Sequence, residues 1–170
     1  EYRIYDGSGA YHQKIYPLAG EGVSIGDIEE YPFPDFRDPD RYAGVEETVA
    51  DIHKRGYAAV ISWEMTIFEK AWRIRGLEDL MMDLVLQPDL VECLMDRIAE
   101  QTGRLAAEYA RRGVDVIQLG DDIGSQNGMM VSPDIYRTFL KPRMKSLIKG
   151  IKNANPDTLV FYHTDGVVDP

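Results

Sequence analysis

Residues 88–122, PDLVECLMDRIAEQTGRLAAEYARRGVDVIQLGDD, decide the fold. Pro88 and Asp89 suit the first turn of a helix, where a missing N–H costs nothing and an acid meets the positive end of the dipole. Leu90, Leu94, Ile98, Leu105 and Tyr109 then fall on one helical face. Arg111-Arg112-Gly113 ends it, with cations at the negative pole and a glycine free to take a left-handed cap. Val114 to Leu119 follows at once, apolar at most positions and bounded by Gly120-Asp121-Asp122. A strand without a polar face belongs in a sheet covered on both sides.

The same unit occurs twice more. Glu46 to Arg55 has helical spacing at Val45, Val49 and Ile52, acids in its first turn and His53-Lys54-Arg55 in its last. Gly56 then caps it, and Tyr57 to Trp63 reads as a strand ending at Glu64. Ser132 and Pro133 open a third helix through Phe139, Leu140, Met144, Leu147 and Ile151, kinked at Pro142, and Thr158 to Tyr162 is its strand, ending at His163. Helices feeding short apolar strands indicate the α/β class with a parallel sheet. An open doubly wound sheet normally carries a glycine-rich loop after its first strand, and Trp63-Glu64-Met65-Thr66 is not one. The expectation is a (β/α)8 TIM-type barrel, which takes about 250 residues when complete, so this chain reads as a partial segment. It is read as a single domain over residues 1–170, with N- and C-terminal parts of the barrel lying outside it.

Outside the three units the sequence is less regular. Tyr2 to Leu18 reads as a short hairpin or an irregular arm around Asp6-Gly7-Ser8-Gly9. Tyr31 to Arg41, with Pro32, Pro34 and Pro39 among acids, reads as an extended surface connection. Phe68 to Leu86 adds helices between the first two strands.

The charge balance, 19 Lys and Arg against 29 Asp and Glu for a net −10, opposes phosphate backbones and anionic lipid, so no nucleic acid and no membrane partner is expected. No window approaches a membrane span and the first residues do not resemble a signal peptide, which suggests a cytoplasmic protein. With Cys93 as the single cysteine, any metal needs His and carboxylate ligands.

In a parallel sheet the residues just after the strands meet at one end, where barrel enzymes carry their sites. That places Glu64, Asp121, Asp122, His163 and Asp165 on a common face. His163-x-Asp165 offers two ligands to a zinc ion, or equally a helix cap and a histidine bonded within the barrel. Asp121 and Asp122 either bind a substrate or build a turn. Glu64 is a ligand, a substrate contact or a solvated residue.

The run Gly120 to Gly128, then Ser132-Pro133, Tyr136, Phe139, Lys141-Pro142 and Lys145, then Tyr162-His163-Thr164-Asp165-Gly166, resembles the uroporphyrinogen decarboxylase superfamily, closer to its corrinoid-dependent methyltransferase-like members than to true decarboxylases. Pro17-Leu18, Pro34-Asp35 and Arg75-Gly76 also fit. The resemblance implies a (β/α)8 barrel and one of two chemistries. True decarboxylases use no cofactor and bind an acetate-bearing tetrapyrrole through an Arg-Gln-Ala-Gly-Arg-like segment, which this sequence does not contain, and a cleft aspartate. The methyl-transferring relatives move methyl groups between corrinoids and thiols or methoxylated compounds, with zinc on a His-x-Cys motif at the position of His163 and a further cysteine. Here Asp165 replaces the first cysteine and the second would fall beyond Pro170. The resemblance thus implies methyl transfer involving a small-molecule substrate and a corrinoid cofactor or corrinoid protein. Asp122 and His163 are the expected catalytic residues, His163 and Asp165 the zinc ligands, and Asp121, Gln126, Glu64 and Tyr136 the substrate contacts. Cofactor-free decarboxylation and a non-catalytic corrinoid-binding barrel are the alternatives. The remainder of the barrel or a homo-oligomer partner is expected to cover the sheet edges and apolar helix faces that a partial barrel leaves exposed.

Overall fold

The computed structural model describes residues 16–169 in full and, before them, the backbone of two strands, β1 (Tyr2–Ile4) and β2 (Gln13–Ile15). These pair antiparallel with Arg3 opposite Lys14, so the arm is a hairpin. The turn expected at Asp6-Gly7-Ser8-Gly9, and His12, lie outside the described residues.

A short helix not expected from the sequence follows, α1 (Ile25–Glu30). Its signal is a capping box: the Ser24 hydroxyl accepts from the Asp27 N–H, and the Asp27 carboxylate accepts from the Ser24 N–H at 2.8 Å. The proline-rich segment runs along the surface as expected, but its end is regular. Pro39–Tyr42 is a 3-10 turn capped by the Asp38 side chain, and it buries Tyr42, whose hydroxyl donates to the Phe36 carbonyl.

The helix–strand units are α2 (Val45–Lys54) with β3 (Val60–Trp63), α5 (Pro88–Arg111) with β4 (Val116–Gly120), and α7 (Lys141–Ala154) with β5 (Leu159–His163). Between the first and second lie α3 (Phe68–Arg75) and α4 (Leu77–Leu86). The strands are parallel in the order β3-β4-β5, with Trp63 beside Leu119 beside Tyr162 and Gly120 beside His163. The first two strands begin later than the apolar runs do. Tyr57 and Val114 donate instead to the Ile52 and Tyr109 carbonyls, closing six-residue turns around Gly56 and Gly113. The cap thus captures the first residues that β-propensity would assign to the strand.

The third helix starts as α6 (Pro133–Ile135), with the Ser132 hydroxyl accepting from the Ile135 N–H. The expected disturbance at Pro142 takes the form of a π-helical turn, Tyr136–Leu140, in which the Lys141 N–H reaches the Tyr136 carbonyl. A proline ring clashes with the preceding turn, and one wider turn makes room.

Two apolar clusters share α5. Its first half, with Leu94, Met95 and Ile98, packs among α1, α3 and α4, so the inserted helices have a core of their own. Its second half, with Ala106 and Ala110, packs with α2, α7 and the helix-facing side of the sheet through Ile117, Leu119 and Ile151. Val60, Leu159 and Phe161 are exposed on the other side of the sheet. Among the described residues no helix is long and apolar enough to cross a membrane.

Candidate active site

The three post-strand loops meet because glycine lets their backbones touch. A Cβ on Gly120 would stand 2.9 Å from the His163 carbonyl oxygen, one on Gly124 would stand 2.7 Å from that of Asp165, and one on Gly166 2.5 Å from the Gly124 carbonyl carbon. Gly166 also takes φ +81°, which only glycine adopts without strain. Buried Thr66 ties the first loop to the second: its N–H donates to the Gly120 carbonyl and its hydroxyl accepts from the Gly120 N–H, both at 2.9 Å. Val167 N–H donates to the Ser125 carbonyl at 2.8 Å and joins the second loop to the third.

This packing brings Asp122, His163 and Asp165 together, with one potential ligand atom from each within 4.8 Å of the others. His163 Nε2 lies 3.2 Å from Asp165 Oδ1, and the Asp165 N–H donates to Asp122 Oδ1 at 2.9 Å. One imidazole and two carboxylates form a donor set that fits a divalent cation such as zinc, and the absence of a thiolate leaves oxygen as the majority donor. The cluster opens on a cleft of ≈ 520 Å³, also lined by Glu64, Glu69, Lys70 and Arg73 with Trp63 and Met65.

The remaining expected residues are divided among different places. Glu64 lines the cleft and accepts from the Ser62 hydroxyl. Asp121, expected at the substrate, lies outside the cleft lining and is only 2% exposed. Its carboxylate accepts the Ile67 and Glu69 N–H groups at 3.0 Å, so it caps the start of α3. Burial outweighs those two donors and pushes its pKa up to about 7. The reason lies in the alternation after β4: successive side chains face opposite ways, and only Asp122 turns to the open side. Gln126 sits exposed on the loop. Tyr136 lines a separate cavity of ≈ 370 Å³ with Ile123, Lys141 and Tyr162. Burial raises the Tyr162 hydroxyl far above its ordinary value.

Three charged residues of the cleft are not among those the sequence points to: Glu69, Lys70 and Arg73, all on α3. The Glu69 carboxylate accepts from the Asp122 N–H at 3.2 Å, and burial raises its pKa. The Lys70 ammonium donates to the Thr102 hydroxyl at 3.3 Å and stands 4.5 Å from the centre of the Trp63 ring. Its desolvation lowers the pKa to about 8. The available signal was position: a helix that starts directly after a strand presents its first turn to the same end as the strand loops.

The family model for uroporphyrinogen decarboxylase (URO-D) matches residues 10–169. The uroporphyrinogen decarboxylase of Prochlorococcus marinus (strain MIT 9312) is 22% identical over 185 residues, covering 95% of this chain and 52% of that protein. That of Geobacillus kaustophilus (strain HTA426) is 32% identical over 76 residues, 44% of this chain and 21% of its own length. A solved methyltransferase from Methanosarcina mazei superposes with TM-score 0.66 at 22% identity, over 89% of this chain and 42% of that one. This chain therefore spans about half the length of the Prochlorococcus relative.

Proposed function

Because the chain belongs to the uroporphyrinogen decarboxylase family, we propose that it works as a methyl-transfer member of that family, with its three parallel strands forming part of a closed (β/α)8 barrel in a cytoplasmic enzyme. The observation that carries this reading is the Asp122, His163 and Asp165 cluster at the mouth of the cleft. His163, Asp165 and Asp122 would hold zinc, which supplies a Lewis acid able to favour a bound thiolate or polarise a methoxy oxygen. Asp122 is positioned by its N–H bond to Glu69 and by accepting the Asp165 N–H. Glu69 Oε2 accepts the Asp122 N–H and burial raises the carboxyl's pKa, which leaves Oε1 to hold or release a proton in the cleft. Trp63 and Met65 give the cleft its apolar lining. A corrinoid cofactor or corrinoid protein is the proposed methyl partner of the small-molecule substrate.

Metal analysis tests the reading: about one equivalent of zinc in the wild type and weaker binding in His163→Ala are expected, while no bound zinc, or affinity unchanged in that variant, would overturn it. The second reading, cofactor-free decarboxylation, draws on the names of the curated relatives. In it Asp122 orients pyrrole N–H groups and stabilises positive charge on the ring. The cleft opposes it, because Glu64, Glu69, Asp122 and Asp165 outnumber Lys70 and Arg73 where a polyanionic tetrapyrrole would sit. Consumption of uroporphyrinogen that is lost in Asp122→Asn would establish the second reading instead.

A further inference from the structure

The cleft does not end at Trp63. A second cavity of ≈ 360 Å³ adjoins it and shares Trp63, Met65, Lys70 and Arg73 as its boundary. The far wall comes from the proline-rich segment, where Tyr31 and Phe33 meet edge to face at 4.9 Å between ring centres and Phe36 meets Trp63 in the same way at 6.3 Å. Charge is divided along this space. All four carboxylates line the first compartment only, whereas the charged residues of the second are Lys70 and Arg73, both on the boundary. The Lys70 ammonium is held there by a neutral hydroxyl and the face of an indole.

An aromatic chamber of this size suits a ring or a compact branched chain, and a cation at its rim suits an acid group on that body. An anion is repelled by the four carboxylates and attracted at the rim, so the charge distribution also sets which end of a ligand enters the chamber. We propose that the substrate is a small organic anion with an aromatic body, its ring in the chamber lined by Phe33, Phe36 and Trp63 and its acid group on Lys70, leaving another substituent directed to the Asp122, His163 and Asp165 cluster. The proposal rests on the cleft being the catalytic site but not on its metal.

Titration of the protein with benzoate, followed by tryptophan fluorescence and calorimetry, tests it against acetate, which lacks the ring, and benzyl alcohol, which lacks the charge. Benzoate is expected to bind saturably and at least tenfold more tightly than either. Lys70→Met, which keeps the apolar stem, is expected to weaken benzoate at least tenfold and benzyl alcohol less than twofold. Phe36→Ala, which removes one ring from the chamber wall, is expected to weaken both. Equal binding of acetate and benzoate, or unchanged benzoate affinity in Lys70→Met, would overturn the proposal. Benzoate affinity is read at Lys70 and Phe36 and zinc affinity at His163, so a failed zinc assay and a failed benzoate assay reject different statements.

Discussion

Replacing Asp121 by Asn should alter how stability depends on pH. Asp121 is buried beneath the start of α3 and its carboxyl is pushed up to about 7. In the unfolded chain the same group titrates near ~3.9, and that difference corresponds to about 4 kcal/mol when both states are fully ionised. The folded state binds the extra proton, so the group's favourable contribution is fully present below ~3.9 and is lost as pH rises through about 7. Asn has the same shape, keeps an oxygen for the Ile67 and Glu69 N–H groups and does not titrate. The free energy of the wild type minus that of Asp121→Asn should therefore fall by about 1.4 kcal/mol per pH unit across most of this window and level off above it. Urea denaturation followed by circular dichroism at half-unit steps from pH 4.5 to 8.5 measures this difference, in which the other titrating groups largely cancel. A difference that stays flat would refute the account of Asp121 as a buried carboxyl dominated by desolvation.

Two further predictions concern the frame of the site. Gly166→Ala places a Cβ 2.5 Å from the Gly124 carbonyl carbon at a left-handed φ, and should cost about 2–4 kcal/mol and lower Tm by roughly 4–12 °C in a thermal melt. The same variant should bind zinc at least tenfold more weakly, because separating the two loops parts Asp165 from Asp122. Arg75 Nε donates to Asp83 at 2.7 Å with both side chains buried, so Arg75→Ala should cost about 3–5 kcal/mol by urea denaturation, while Arg75→Met with Asp83→Leu should cost less than either change alone.

The helix–glycine–strand pattern made most of the fold legible. Gly56 and Gly113 marked where helices stop, and the apolar runs after them marked a parallel sheet, since both signals are local and depend only on neighbouring residues. β3 and β4 start a few residues later than their apolar runs because the glycine caps draw Tyr57 and Val114 back to the helix carbonyls. The Ser24 and Asp27 capping box is a signal as local as these, and it marks the start of α1.

The sequence by itself determined which residue types stand at the strand ends and that parallel strands carry them to one side. Tertiary structure decided which of them share a space. Asp121 and Asp122 are adjacent and chemically alike, yet one holds the backbone of α3 and the other faces His163, because consecutive side chains leave a strand on opposite sides and only one side is open. Their place directly after β3 puts Glu69 and Lys70 at the strand-end face, but it is a tertiary contact that sets them in the cleft: the buried Asp121 fixes the start of α3, and the helix then aims its first turn at the loops more than fifty positions later.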